Sequence, residues 1–395
     1  MRSILLKETV KYMLFRIREL VPSLYPFLSQ CYRQSSNLFF DDKIIISQVG
    51  AQQGDPAGSL LFSLSIHPIV TSLKSKLNLW YLDDGSICDK PDIVLSDFEK
   101  IIFEASKIGL KVNPSKCELY FCGEPNLELL RRFQTIAPGI LVKSKNDLEL
   151  LGSPIFDDSV ITFTSKKFEK IETMITRLQD VKAHFAYYLL KNCLTIPKLS
   201  YLIRTAPLWK FPCLLQNIDT KIKIVLEKTL NVELNDLQWT QASLPVNNGG
   251  LGIRKLQDLS LPAFLASSFG VKSLVSTIIN ITDYETNLPN LKNALDCWER
   301  LNPEKYPIIL EKQKQWNEIN VERIVSSLVF SSEIDKFRFA LLQNPFSGAW
   351  LNAVPCPNLG TFLNNETVRT CIGLRLGSKL CRPHKCICGD DVDSS

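Results

Sequence analysis

The sequence predicts an α+β chain in which a mixed region of about 155 residues precedes a mainly helical one. Three observations carry that expectation. Before residue 155, short β-rich runs bounded by Asp, Asn and Gly alternate with helical stretches. From residue 163 onward the apolar residues recur at helical spacing, with Phe168, Ile171, Ile175, Leu178, Phe185 and Leu189 on one stripe. The composition is that of an ordinary globular protein, 395 residues with 45% hydrophobic and 22% charged, long enough for two or three domains.

Taken in order, residues 3–20 have helical spacing through Leu5, Leu14, Ile17 and Leu20 and stop before Pro22. A second helix is expected over 23–36. "NLFFDDKIIIS" reads as a hairpin, two β-rich runs around Asp41-Asp42. In "GAQQGDPAGSLLFSL", Asp55-Pro56 is a helix start, because Asp caps free N–H groups and Pro is preset for the first turn. That helix runs apolar to about Leu73 and is expected to be mostly buried. "LWYLDDGSIC" follows as a hairpin, Asp84-Gly85 between apolar runs, with Gly85 supplying the positive φ of a primed turn. A helix over about 93–108 leads to "GLKVNPSKCELYFCG", a helix end at Gly109, an Asn-Pro turn and a strand at 117–121. "LELLGSPIF" offers another short strand, with a Gly-Ser-Pro turn. Beyond it the predicted segments are helical at 156–275, helical with scattered Pro at 276–365, and a Cys/His tail at 366–395.

A net charge of +5 is too mild to diagnose a partner, but its distribution is uneven. Residues 165–230 hold 12 Lys or Arg against 5 acids, a surplus of seven that fits either a solvated helix surface or a face that tracks phosphates. Twelve cysteines fall short of a disulfide scaffold, and Cys88, Cys193 and Cys213 stand singly in apolar surroundings, as small hydrophobes of a reduced, intracellular protein do. No signal-peptide core fits the start, and the longest uncharged run, Pro56–Leu73, holds four serines and makes a poor membrane span, so a soluble chain is expected. His67 and His184 lie in apolar helices and read as core or edge residues.

In "LWYLDDGSIC" the adjacent Asp83 and Asp84 are either turn residues or carboxylates carried on a turn to hold a metal. "GAQQGDPAGSLLFSL", "YLDDG", "GLKVNPSKCE" and "LLGSPI", in this order and spacing, resemble the palm of a reverse transcriptase of the non-LTR retrotransposon branch. "LPVNNGGLGI…LPAFLASS" looks like sequence that follows that domain in retroelement proteins. The resemblance covers residues 1 to about 270 well and the tail loosely.

It implies a partial right-hand palm over 1–155, with an antiparallel sheet and helices, followed by a helical thumb at 156–275. It also implies RNA-directed DNA polymerisation on an RNA template and a DNA primer or target DNA, with dNTP as substrate and no membrane partner. Asp83 would be a Mg²⁺ ligand with Asp84 beside it, and Tyr81 would pack near the primer end. Gln53, Gly54 and Pro56 would shape the loop under the templating pair. Lys116 would protonate or neutralise the leaving pyrophosphate, or is an ordinary surface lysine. Leu151 and Gly152 would form the primer grip.

Family proteins carry a further aspartate on a strand shortly before the helix that "MRSILLKETV" resembles, and no acid precedes Met1 here. The resemblance therefore implies an N-terminally truncated polymerase without fingers, inactive as a fragment, or a non-catalytic nucleic-acid-binding remnant. In "CRPHKCICGDDVDSS", Cys381, His384, Cys386 and Cys388 are possible Zn²⁺ ligands, half of a knuckle or a cysteine-bearing tail.

Overall fold

The structure is a computed structural model that describes residues 7–47, 50–52, 54–279, 288–380 and 384–392. The chain falls into two units, Met1–Ser144 and Lys145–Ser395. Both mix helices with short strands, so the α+β class holds; among the described residues the strands form five separate two-stranded ladders rather than one sheet.

In the first unit, α1 (Lys7–Leu20) and α2 (Tyr25–Tyr32) lead to a hairpin of β1 (Ser36–Phe40) and β2 (Lys43–Ser47), with Asp41 in the turn at φ 49°. Then come α3 (Gly58–Thr71), the hairpin of β3 (Leu77–Tyr81) and β4 (Asp84–Cys88), and α4 (Pro91–Lys107). β5 (Glu118–Leu119), α5 (Leu127–Ile136) and β6 (Leu141–Val142) complete the unit, β5 pairing parallel with β6. The start of α5 is set by Asn126, whose Oδ1 accepts the N–H groups of Glu128 and Leu129.

Three small cores hold this unit. Met13 and Ile17 of α1 close on Leu28, Tyr32 and Leu61. Ile66 and Ile69 of α3 meet Ile101 and Ala105 of α4, with Trp80 and Ile87 of the hairpin packed against them. The other end of α4 brings Leu95 to Leu119, Phe133 and Ile140. Expected to be mostly buried, α3 buries only Leu61, Ser65, Ile66 and Ile69, because it packs chiefly between α1 and α4 and its remaining face lies open.

Asp97 fixes the approach to the β3–β4 hairpin. Its carboxylate accepts the N–H groups of Lys74 (2.9 Å) and Ser75 (2.7 Å) and the Ser75 hydroxyl (2.6 Å). Burial works against the charge, but these donors win and hold the carboxyl below its usual range.

The second unit opens with β7 (Glu149–Leu150) and β8 (Ser153–Pro154), then α6 (Asp157–Thr176), α7 (Ala183–Leu189), α8 (Ile196–Thr205), α9 (Pro212–Leu230), α10 (Asp236–Ser243) and α11 (Leu256–Gly270). α12 (Lys272–Ile279), α13 (Pro289–Leu301), α14 (Gln313–Ser326), α15 (Glu333–Leu342), α16 (Asn365–Leu376) and the short ladder β9 (His384–Lys385) with β10 (Asp391–Val392) follow. One core runs from Val160 on α6 to Leu376 on α16, so the helical stretches that the sequence divides at 275 and 365 share an interior.

α11 crosses the middle of the unit, against α8, α9, α13 and α14. Asp219 of α9 caps it, accepting the N–H groups of Leu256 (2.7 Å) and Gln257 (3.1 Å). Among the described residues no single helix is long and apolar enough to cross a membrane.

The "LPVNNGG" stretch is held by Arg375. Its buried guanidinium donates to the carbonyls of Val246 (2.9 Å), Gly250 (3.1 Å) and Ser347 (3.3 Å). A Cβ on Gly250 would sit 2.1 Å from the Leu244 carbonyl oxygen, so only glycine fits that turn.

Candidate functional site

The tip of the β3–β4 hairpin is a two-residue loop, Leu82-Asp83, closed by the pairing of Tyr81 with Asp84. The two carboxylates and the exposed Tyr81 therefore stand together at the end of the hairpin, as the sequence predicts. The turn chemistry is different. Leu82 takes the positive φ, 56°, at the first loop position, the φ pattern of a II′ turn. A left-handed leucine costs about 1–2 kcal/mol relative to an ordinary backbone, strain that the flanking ladder must hold.

Gly85 is not a turn residue; it lies in β4 opposite Trp80. The indole of Trp80 lies across it, so that a Cβ there would be 2.7 Å from Cη2 and Cζ3 of the ring. The indole is pinned in turn, its Nε1–H donating to Asn78 Oδ1 (2.8 Å) while Asn78 Nδ2 donates to the Val70 carbonyl (2.8 Å). Glycine is thus required by a ring across the ladder and not by the bend.

Asp83 is half-buried and Asp84 exposed. The Asp83 carboxyl is held below its ordinary range: partial burial is the largest single influence and pushes it up, but hydrogen bonding, its own backbone N–H included, and more weakly the Lys116 ammonium favour the ionised form. The structure thus brings Lys116, at the end of the Pro114–Lys116 turn, into electrostatic reach of Asp83. Among the described residues no group of three or more His, Cys, Asp or Glu side chains gathers to hold a metal ion. Two adjacent carboxylates are nonetheless hard oxygen donors of the kind Mg²⁺ takes, and that ion fills its remaining positions with water and phosphate oxygens. The tip fits one side of such a site.

The loop before α3 is organised from α2. The Tyr32 hydroxyl donates to Asp55 Oδ2 and accepts the Gln52 N–H (3.3 Å), while Asp55 Oδ1 accepts the Ala57 N–H (2.8 Å). Burial and the bond to Asp55 push the Tyr32 hydroxyl up to about 12, so it stays a donor at any ordinary pH. Gly54 sits at φ 91° with open space where a Cβ would be, so its backbone conformation alone demands glycine. Gly54, Gln52, Asp55 and Ser59 line a cleft of about 270 Å³ with Met13 and Phe62. Pro56 lies in the turn just ahead of α3, which begins two residues later than the helix start expected from Asp-Pro. Gln53 lies outside the described residues. No sequence pattern marks Tyr32, because its partner is 23 residues away.

Leu151 and Gly152 belong to the second unit. They form the two-residue turn between β7 and β8, with φ of 49° and 76°, the paired positive values of a I′ turn. The Gly-Ser-Pro turn read from the sequence is displaced by one residue, because Ser153 and Pro154 already pair in the strand. Tyr201 of α8 secures this tip by donating its hydroxyl to the Leu151 carbonyl (2.8 Å), and the Lys167 ammonium lies over the Tyr201 ring.

The basic surplus of 165–230 is partly spent inside the fold. Lys210 meets Asp157, Lys221 meets Glu172 (2.6 Å), and Lys191 donates to Leu351 O (3.1 Å) and Asn352. Lys166 and Lys170 of α6 and Arg177 just beyond its end remain exposed and fall on one stripe by helical spacing, where Arg177 shares a surface groove with Glu169, Glu172 and Asp180. His184 is a core residue whose Nδ1 accepts the Leu363 N–H (3.0 Å), and burial lowers its basicity; His67 is an exposed edge residue.

In the tail, Cys386 and Cys388 flank one turn between β9 and β10. The Cys388 N–H and thiol hold the Cys386 thiol below its ordinary range, which favours the thiolate form that a metal takes. Cys381 lies outside the described residues, as does the side chain of His384.

No protein-family model matches the chain, and no similar curated protein was found.

Proposed function

We propose that the first unit is the metal-binding side of a reverse-transcriptase palm, acting with an RNA template, a DNA primer or target DNA, and deoxynucleoside triphosphates. The observation that carries this reading is the strained Leu82-Asp83 turn, which presents two carboxylates at the end of a hairpin, within electrostatic reach of Lys116. A plain surface turn needs no left-handed leucine.

In this reading Asp83 would hold Mg²⁺ with Asp84 beside it, and the bound ion would supply charge neutralisation for in-line displacement at phosphorus. Lys116 would give a proton to, or balance the charge of, the departing pyrophosphate. Tyr81 would support the primer end from the same tip. The Gly54 loop, fixed by Tyr32, would lie under the templating pair. The Leu151-Gly152 turn would grip the primer, and the Lys166–Lys170–Arg177 stripe would track the duplex backbone. Cys386 and Cys388 would supply two sulfur ligands of a zinc knuckle.

A second reading, a nucleic-acid-binding protein without catalysis, is favoured by that same stripe, which needs no metal to attract phosphate.

Iron-mediated backbone cleavage separates the two. With Fe²⁺ in place of Mg²⁺, ascorbate and peroxide should cut the chain near residues 82–85 and 116. Excess Mg²⁺ should suppress the cuts, and Asp83→Asn with Asp84→Asn should abolish them. Unchanged cutting in the double variant would remove the metal reading. RNA–DNA binding that persists without any cut at the tip would select the second.

A further inference from the structure

The β1–β2 hairpin stands apart from the cores of the first unit. Among the described residues none of its side chains joins the three clusters built on α1, α3 and α4. A two-stranded hairpin left to itself in water is marginally stable at best, and this one is rich in side chains that water disfavours. Leu38, Phe39, Phe40, Ile44, Ile45 and Ile46 are all exposed.

The register of the ladder sorts them into two faces. Phe39 pairs with Ile44 and Asn37 with Ile46, and side chains alternate along each strand, so these four share one face. Leu38 with Ile45, Phe40 with Lys43 and Ser36 with Ser47 share the other. The first face carries no charge and holds Phe39 at 76% exposure and Ile44 and Ile46 at 60% each. The second has a lysine and two serines, and its Leu38 and Ile45 are less exposed. At about 200 Å² for a whole large apolar side chain, Phe39, Ile44 and Ile46 present about 400 Å². Patches of that size on a single chain commonly mark a contact.

We propose that the Phe39–Ile44–Ile46 face is a docking surface for a second copy of this chain, the two hairpins packing face to face and antiparallel about a two-fold axis. Two such faces would bury about 800 Å² of side chain, and the flanking chain brings the total to the low end of specific interfaces, the size of a weak, reversible dimer. Charge selects the second copy and its direction. Asp41 and Asp42 stand exposed at the tip, whereas Arg33, exposed at the C-cap of α2, stands at the root just ahead of β1. Both strands are five residues long, about 17 Å, so the tip of one hairpin comes level with the root of the other when their faces meet. Antiparallel packing therefore sets unlike charges opposite each other at both ends, while parallel packing would bring four aspartates together. Between those ends an uncharged face meets its own copy with no like charges opposed. None of these residues belongs to the Asp83 tip, so the proposal stands or falls apart from the polymerase reading.

Sedimentation equilibrium of the full chain over a range of concentrations tests it. The average mass should rise from one chain to two across the micromolar range. Phe39→Ser should move that rise to concentrations higher by about a hundredfold or more, because the two-fold axis removes two rings from each dimer. Ile45→Ser, on the other face, should leave it in place. Arg33→Glu should weaken association by about tenfold, and adding Asp41→Lys and Asp42→Lys should restore it. Phe39 lies in no core, so circular dichroism of Phe39→Ser should match the unaltered chain; if that variant unfolds, the charge-swapped set, which touches no apolar side chain, decides. A mass of one chain at every concentration, a dimer that Phe39→Ser leaves intact, an equal loss from Ile45→Ser, or charge swaps without effect would each overturn the proposal.

Discussion

Replacing Gly85 with alanine probes the candidate tip without touching a carboxylate. The new Cβ would lie 2.7–2.8 Å from three carbons of the Trp80 indole. Ordinary carbon contacts are about 3.5–4.0 Å, so the ring must retreat by about 1 Å. It cannot do so freely, because its Nε1–H is committed to Asn78, which is itself tied to Val70. Losing that hydrogen bond costs about 1 kcal/mol. Disturbed packing against the Ile66–Ile101 core adds a similar amount, for a total destabilisation of the first unit of about 2 kcal/mol.

Trp80 is the sole tryptophan before residue 145, so the emission difference between the unaltered chain and Trp80→Phe reports on this unit alone. Urea unfolding followed through that signal should show the midpoint of Gly85→Ala falling. Because Trp80→Phe removes the ring atoms that the Cβ would meet, a double-mutant cycle followed by circular dichroism should recover about 1 kcal/mol of coupling. A Gly85→Ala midpoint within error of the unaltered chain, with no coupling in the cycle, would refute the assignment of Gly85 to the indole and return it to turn chemistry.

Burial pushes the Asp219 carboxyl up to about 7. An acid raised in the folded state stabilises fully below its unfolded value near 4 and loses that contribution as pH rises through about 7, so denaturant unfolding followed by the five tryptophans of the second unit should show about 2–3 kcal/mol more stability at pH 5 than at pH 8, a dependence that Asp219→Asn flattens. Gly250→Ala should destabilise the second unit by more than about 3 kcal/mol, read as loss of its cooperative thermal transition, because the Cβ meets the backbone carbonyls of Leu244 and Gln241, which cannot yield. If the exposed stripe along α6 and the turn that follows it contacts phosphates, replacing Lys166, Lys170 and Arg177 with alanine should reduce the slope of log affinity against log salt by about 0.9 per lost contact; fluorescence anisotropy with a labelled RNA–DNA duplex measures it, and an unchanged slope would make the stripe a solvated face.

The sequence by itself determined what a few neighbouring residues can encode. Helical spacing placed α6–α7, the Asp-Pro pair marked the approach to α3, and apolar runs around Asp41-Asp42 and Asp83-Asp84 located two hairpins with their acids at the tips. These features follow from local φ and ψ and from periods of 2 and 3.6, so a window of ten residues contains them.

The tertiary structure decided what depends on distant partners. Gly85 read as a turn residue because its own neighbours cannot reveal the ladder register that sets Trp80 over it, and Leu82 gave no sign of a left-handed backbone because leucine rarely accepts one. Tyr32 reaches Asp55 across 23 residues, Tyr201 reaches Leu151 across 50, and Arg375 reaches the carbonyl of Val246 across 129. Such contacts are products of packing: each needs whole helices to be seated before the two groups share a neighbourhood, and no local pattern records where the far partner will be.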